Sequence, residues 1–305
     1  MRRFLGATGR VLVTGGILLL LFVAYQLWGT GLLQARAQDD LRNQFEQELS
    51  SEDTPSTTTT TGPPASTTTT TAPPAPPIPP DGDAVAIIDI PKIGVSQVVV
   101  EGVDVGDLRD GPGHYPASPL PGQVGNAAIA GHRTTYGAPF ADLEELDVGD
   151  EIVLRTLQGD FTYEVSREPF AVSPDAAEVL APEPDPARPG TNLATLTLTT
   201  CHPKYSAAER LIVQAQLRLP SGAVPLPASP RTDDAPREIS GLDGDTSSRT
   251  PTVLWGLVVI AVGGAWWFLF HRYPRWYVWF AGVVPFLVVL WMFFTYLERL
   301  LPSNY

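Results

Sequence analysis

The sequence predicts a mainly β fold: one closed β-barrel domain with short helices, carried between transmembrane helices, one before it and a hairpin of two after it. Three observations predict this. Long apolar runs lie near both ends of the 305-residue chain. Stretches rich in Thr, Pro, Ser and Gly separate those runs from the middle. The middle itself, residues 81–220, consists of many short β-branched or alternating segments punctuated by Gly and Pro, which is the pattern of a small barrel.

Residues 1–10 carry Arg2, Arg3 and Arg10 and no acid, and residues 11–33 are apolar over the length needed for one span. The arginines place the N-terminus in the cytoplasm. Ala35-Arg36-Ala37 resembles a signal-peptide cleavage site, but the apolar run is longer than a signal-peptide core, so it reads as an uncleaved anchor. Residues 34–80 read as an extracellular stalk. Its first part, 34–53, is polar and charged with sparse apolar positions and extends the first helix briefly. Its second part, 54–80, reads TPSTTTTTGPPASTTTTTAPPAPPIPP, a Thr/Pro tether with nothing apolar to stack and an extended backbone.

Within the barrel domain, strands are expected at 84–90, 95–103, 125–131, 151–156, 161–166, 191–200 and 210–219, with Gln158-Gly159-Asp160 as a hairpin signal. Short helical turns are expected at 138–146 and 174–180. Residues 221–251 form a second linker rich in Pro, Ser, Gly and Asp. Residues 252–270 and 276–297 are two further spans, and the loop between them, 271–275, carries Arg272 and Arg275, which belong on the cytoplasmic side. Trp266, Trp267, Trp276, Tyr277 and Trp279 make the aromatic belt at that interface, and Pro285 is tolerated inside a membrane helix. The tail, 298–305, returns outside. The chain is thus expected to be a multi-pass protein of the cell membrane with its barrel on the extracellular face.

Net charge is −13, and the acidity is concentrated in the middle. Removing the six arginines and one glutamate of the two terminal regions from 20 bases and 33 acids leaves residues 34–251 at −18. Such a domain repels a phosphate backbone, which excludes a nucleic-acid partner. Cys201 is the one cysteine, so no internal disulfide can form. One Cys and scattered His lack the spacing of a zinc site, so no metal is expected.

Cys201 lies at the end of an alternating segment, Thr197-Leu198-Thr199-Thr200-Cys201-His202-Pro203, and Pro203 stops the strand there. A thiol is a nucleophile only as thiolate, so it needs a base or a cation nearby. Three histidines of the middle could serve. His132 ends a strand in Ala130-Gly131-His132-Arg133, His114 lies in a Gly/Pro loop, and His202 adjoins Cys201 but points to the opposite face if the strand continues. Arg210 begins the next strand, and a hairpin between the two would set Cys201 and Arg210 side by side.

These residues resemble the sortases, membrane-anchored cysteine transpeptidases of Gram-positive bacteria. The signature Thr-Leu-x-Thr-Cys matches Thr197 to Cys201, the catalytic Arg matches Arg210, and the catalytic His matches His132. The resemblance covers about 84–219. It implies a sortase-like closed β-barrel, with Cys201 as nucleophile and thioacyl carrier, His132 as general acid/base, and Arg210 as oxyanion or substrate-orienting group. Gly111-Pro112-Gly113-His114-Tyr115-Pro116 and Cys201-His202-Pro203-Lys204-Tyr205 look like class E of actinobacteria, which prefers Ala where the usual sorting motif has Pro (LAxTG against LPxTG). In that class Tyr115 would help to read the Ala. Thr200 and His202 flank the nucleophile, a place that suits either shaping the groove or packing.

The implied partners are surface proteins bearing a sorting signal, together with a cell-wall amine: a peptidoglycan precursor of the lipid II kind or a pilin Lys. No cofactor is implied; some sortases use calcium, and the scattered acids here specify no calcium site. A C-terminal membrane segment is also similar to the class C pilin polymerases, although their Asp-Pro-aromatic lid is missing between Ile78 and Ile90. A tethered, non-catalytic wall-binding β-domain is the contrasting expectation, and it leaves Cys201, His132 and Arg210 as coincidence.

Overall fold

The computed structural model describes residues 2–52, 78–181, 194–219, 225–227, 229, 248–270 and 276–300. Most of the Thr/Pro tether, most of the second linker, the loop 271–275 and residues 301–305 lie outside the described residues.

The strands are β1 (Ala84–Ile90), β2 (Val95–Glu101), β3 (Gly113–His114), β4 (Gly125–Ala130), β5 (Glu151–Thr156), β6 (Gly159–Val165), β7 (Phe170–Val172), β8 (Ala194–His202) and β9 (Glu209–Leu217). They pair in the order β6-β5-β1-β2-β3-β4-β8-β9, and a further pairing of β6 with β9 closes these eight into a barrel. The edge of β9 away from β8 is shared: β6 takes residues 215–217 and β7 takes residues 210–212. The pairs β2–β3 and β4–β8 are parallel and the others antiparallel. The expected helical turns appear as single 3-10 turns, Leu143–Glu145 and Ala177–Leu180. The two-residue β3 and three-residue β7 were not anticipated, being too short to show an alternating pattern.

Ile88, Ile90, Ile152, Leu154, Leu196, Leu198 and Val213 fill the barrel. β5 alternates buried with exposed or half-exposed residues, as a strand with one wet face should. β1 does not: Ile87 and Ile88 are both fully buried. A strand apolar on both faces needs a cover on its outside, and a helix supplies it.

Helix α1 (Arg2–Ala24) runs through a π-helical turn, Tyr25–Gly29, into helix α2 (Thr30–Glu52). The first part of the expected stalk, read from sequence as a brief extension of the first helix, is helical to Glu52, and it packs on the barrel. Leu41, Phe45 and Leu49 recur every four residues and so form one stripe. Phe45, fully buried, sits on Ile87 and Val98. Gln38 bridges to strand backbone on the same face: its amide accepts from Val98 N–H (2.7 Å) and donates to the Val98 carbonyl (3.0 Å) and the Asp110 carbonyl (2.8 Å). Emptying the Phe45 site should cost about 3 kcal/mol. Phe45→Ala is thus expected to lower the melting temperature of the full chain in detergent by about 10 °C. A shift below about 2 °C would show that α2 adds little to the barrel.

Part of the second linker also docks: Val124 N–H donates to the Leu226 carbonyl (2.8 Å), and Gln123 to the Ser229 hydroxyl (2.8 Å). A short helix α3 (Asp107–Asp110) follows β2. At the C-terminus α4 (Arg249–Phe270) and α5 (Trp276–Leu300) pack on each other, and both contain stretches long and apolar enough to cross a membrane. The apolar part of α1, Leu12–Ala24, is shorter. Leu18, Phe22 and Tyr25 pack against Leu290 and Phe294 of α5.

Candidate active site

The chemistry-bearing residues follow from the register of β8 and β9. These strands pair without a break from Thr195↔Gln216 to His202↔Glu209, which sets Cys201 directly opposite Arg210. Leu196 and Leu198 of β8 and Leu211, Val213 and Ala215 of β9 point into the barrel core. Alternation then turns Thr195, Thr197, Thr199 and Cys201 outward beside Arg210, Ile212, Gln214 and Gln216. Directly opposed side chains on one face lie about 5 Å apart at Cβ.

Cys201 is buried among Tyr115, Ala128, Ala130, Val103 and Leu108. Burial pushes its thiol above the usual range; the positive charges of Arg210 and then Arg133 pull it back in part. The reactive thiolate therefore grows with rising pH and is scarce at neutrality without a base. Alkylation of the folded chain by iodoacetamide is expected to quicken through the alkaline range, above the midpoint of an ordinary cysteine, and Arg210→Ala should move that midpoint higher still. A midpoint below neutrality would contradict this electrostatic picture.

Arg210 is 7% exposed and donates through Nη1 to the carbonyls of Ala207 (3.1 Å) and Glu209 (3.2 Å). These bonds anchor one nitrogen, and its Nε finds no acceptor among the described residues. A fixed guanidinium with donors to spare is suited to an incoming carbonyl oxygen.

His132 lies two residues past the end of β4, which runs parallel to β8 in the register Ala130↔Thr199. The residues on each side of it hold the β8 backbone. Gly131 N–H donates to the Thr199 carbonyl (3.1 Å), the Thr200 hydroxyl donates to the Gly131 carbonyl (2.8 Å), and Arg133 Nη1 donates to the Cys201 carbonyl (3.0 Å). His132 is buried, and its ring packs on Tyr136 with centroids 5.1 Å apart. Gly131 has to be glycine: a Cβ there would lie 2.5 Å from the Phe140 ring.

Tyr115 joins the group. Its hydroxyl is hydrogen-bonded to the Thr199 hydroxyl (3.1 Å), and with Arg210 and Ile212 it lines a crevice roofed by Val172, Pro174, Val179 and Leu180. The crevice holds only about 10 Å³, room for barely one water. Of the groove and packing roles open to Thr200, its position fits packing: it shares the inward side with Leu198, and its hydroxyl is engaged with Gly131.

The other histidines are set apart. His114 is fully buried, with Nδ1 bonded to Glu101 (2.7 Å) and Nε2 to the Pro119 carbonyl (2.9 Å) and the Ser118 hydroxyl (3.0 Å). His202 accepts through Nδ1 from Arg133 Nη1 (3.0 Å) on the face away from Cys201. Arg133 was the residue sequence reasoning overlooked. It is 4% exposed, paired with Glu144, and clamps both the Cys201 carbonyl and His202. The available signal was an arginine next to His132, just past an apolar strand, a charge that burial allows only with partners.

A family model of the sortase domain matches residues 88–218 of the chain, the span that contains β8, β9 and every residue just placed. Residues 88–218 are a sortase domain. Among curated sortases, Sortase SrtE1 of Streptomyces coelicolor is 31% identical over 219 residues, covering 69% of this chain and 56% of that protein. Sortase SrtE2 of the same organism is 27% identical over 227 residues, 68% of this chain and 80% of that one. The chain thus spans a little over half the length of SrtE1. Among solved structures, sortase E from Streptomyces avermitilis is 40% identical, covering 46% of this chain and 91% of that chain with a TM-score of 0.42. The sortase is class E-like by these relatives. Among its described residues no cluster of three or more His, Cys, Asp or Glu could hold a metal ion.

Proposed function

We propose that this sortase is a membrane-anchored cysteine transpeptidase that cleaves a C-terminal sorting signal of the LAxTG or LPxTG kind between Thr and Gly and joins the protein to an amine of the cell wall. The observation that carries the reading is the pairing of Cys201 with Arg210 across β8 and β9, with the His132 segment hydrogen-bonded to the same strand end.

In this reading His132 takes the proton of the buried thiol, and the Cys201 sulfur attacks the Thr carbonyl of the signal. Arg210 donates to the oxygen that becomes negative. His132 gives its proton to the departing Gly amine, leaving a thioester on Cys201. An incoming amine, from a lipid II-like precursor or a pilin Lys, then loses a proton to His132, attacks the thioester and frees the thiol. Tyr115, on the wall of the crevice, contacts the residue before the x of the signal. Thr200 supports the His132 segment through Gly131 rather than touching substrate. Thiol, imidazole and guanidinium supply the whole reaction, so no cofactor is required. The N-terminus and the loop 271–275 lie in the cytoplasm, and the barrel and the end of α5 lie outside.

The test uses the full chain in detergent with fluorogenic LAxTG and LPxTG peptides and an amine acceptor. Cys201-dependent cleavage that favours Ala supports the class E-like substrate preference. Cleavage favouring Pro keeps the transpeptidase and rejects that preference, and no cleavage by the folded protein with either peptide overturns the proposed substrate class.

A further inference from the structure

The end of the last membrane helix reaches the residue on which His132 packs. Tyr136 donates its hydroxyl hydrogen bond to Glu298 Oε1 of α5. The other oxygen of the same carboxylate, Oε2, accepts from the Tyr25 hydroxyl of the π-helical turn (3.4 Å), which is also hydrogen-bonded to the Thr295 hydroxyl (3.2 Å). One carboxylate thus ties the barrel loop to both membrane-side elements. Arg109 of α3 lies over the Tyr136 ring, 5.8 Å from its centroid.

The loop needs such ties. Tyr136, Gly137 and Ala138 have φ of 50°, 70° and 44°, three successive residues in the left-handed region, two of them not glycine. That conformation is costly for side-chain-bearing residues and persists only where surrounding contacts impose it. The contacts come from the helices. The Thr30 hydroxyl accepts from Tyr136 N–H (3.4 Å). Gln34 lies so close that a Cβ on Gly137 would sit 2.5 Å from its Oε1. Glu298 holds the ring itself.

We propose that Glu298 is a positioning residue for the active site: through the Tyr136 hydroxyl it fixes the ring against which His132 packs, and so makes the C-terminal membrane hairpin part of the catalytic unit. This rests on the reading of His132 as the acid/base of the reaction. A displaced acid/base slows proton transfer in the bound complex and leaves peptide binding nearly intact, so the effect belongs on kcat rather than on KM.

The experiment measures kcat and KM for the preferred sorting peptide with the full chain in detergent, for wild type, Glu298→Ala, Glu298→Gln, Tyr136→Phe and the double variant Glu298→Ala/Tyr136→Phe. Glu298→Ala and Tyr136→Phe are each expected to lower kcat about tenfold with KM within about twofold. The double variant should be no slower than Glu298→Ala alone, because that substitution already removes the bond to Tyr136. Glu298→Gln, whose amide oxygen still accepts from Tyr136 and whose amide N–H can donate to Tyr25, should regain most of the loss. Melting temperatures of the variants identify any that fail to fold, and Tyr136→Phe, which keeps the ring packed, carries the test if Glu298→Ala does not fold. Unchanged kcat in Tyr136→Phe, additive losses in the double variant, or loss confined to KM would overturn the proposal. Failure of wild type to cleave any peptide would instead count against the transpeptidase reading itself.

Discussion

Replacing Cys201 with alanine is expected to lower cleavage of a sorting peptide by at least about 10⁴-fold, the scale of loss when a covalent nucleophile is removed. The substitution removes only a sulfur from a pocket made with Tyr115, Ala128 and Ala130, so the barrel should fold and melt within a few degrees of wild type. Residual turnover comparable to wild type would move the nucleophile elsewhere, and Cys201 is the only thiol in the chain. Cys201→Ser is expected to be nearly as inactive, because a hydroxyl ionises far less readily than a thiol in the same buried position.

Arg210→Ala is expected to lower kcat by about 10²–10³-fold, the cost of losing one preorganised oxyanion donor. Two effects act in the same direction. The oxyanion loses a charged donor held by the Ala207 and Glu209 carbonyls, and the thiol loses the positive charge that most strongly opposes its burial. Arg210→Lys should separate them. A lysine keeps a charge near Cys201 but has no planar fork to bond two carbonyls and still face substrate. It should therefore restore the pH dependence of Cys201 alkylation while leaving most of the kcat loss in place. Full recovery of kcat by Lys would show that Arg210 acts only as a point charge.

Much of the barrel was legible because its strands announce themselves locally. β1, β5, β8 and β9 each show β-branched runs or alternation over six or more residues. The Cys201–Arg210 pair was legible for the same reason: a hairpin between consecutive strands fixes its register from the loop length. The choice among three histidines was not. The His132 segment is brought to the end of β8 by the parallel pairing of β4 with β8, across about 70 residues, which no local pattern encodes. His114 was removed from contention by Glu101, which meets it only because β2 and β3 lie side by side.

The docking of α2 was hidden for a different reason. Its three apolar contacts are spaced correctly, but Gln34, Gln38 and Arg42 make the remaining ones through hydrogen bonds, so the helix reads as polar. The same holds for Glu298, a lone acid near the end of an apolar helix whose partners, Tyr25 and Tyr136, lie over 160 residues away in the chain. Polar groups that act as glue between distant elements carry no periodic signal. Thr200 illustrates the converse. Its place beside the nucleophile left groove and packing both open, and alternation along β8 turns it inward to pack.

The proposed reaction passes through a thioester on Cys201, which intact-mass spectrometry detects. The full chain in detergent is incubated with the preferred sorting peptide without an amine acceptor and quenched in acid. The account predicts a mass increase equal to the peptide fragment ending in Thr, located on Cys201, removed by hydroxylamine and absent in Cys201→Ala. An adduct on any other residue, or cleaved peptide with no Cys201 adduct at any time from milliseconds to steady state, would contradict it.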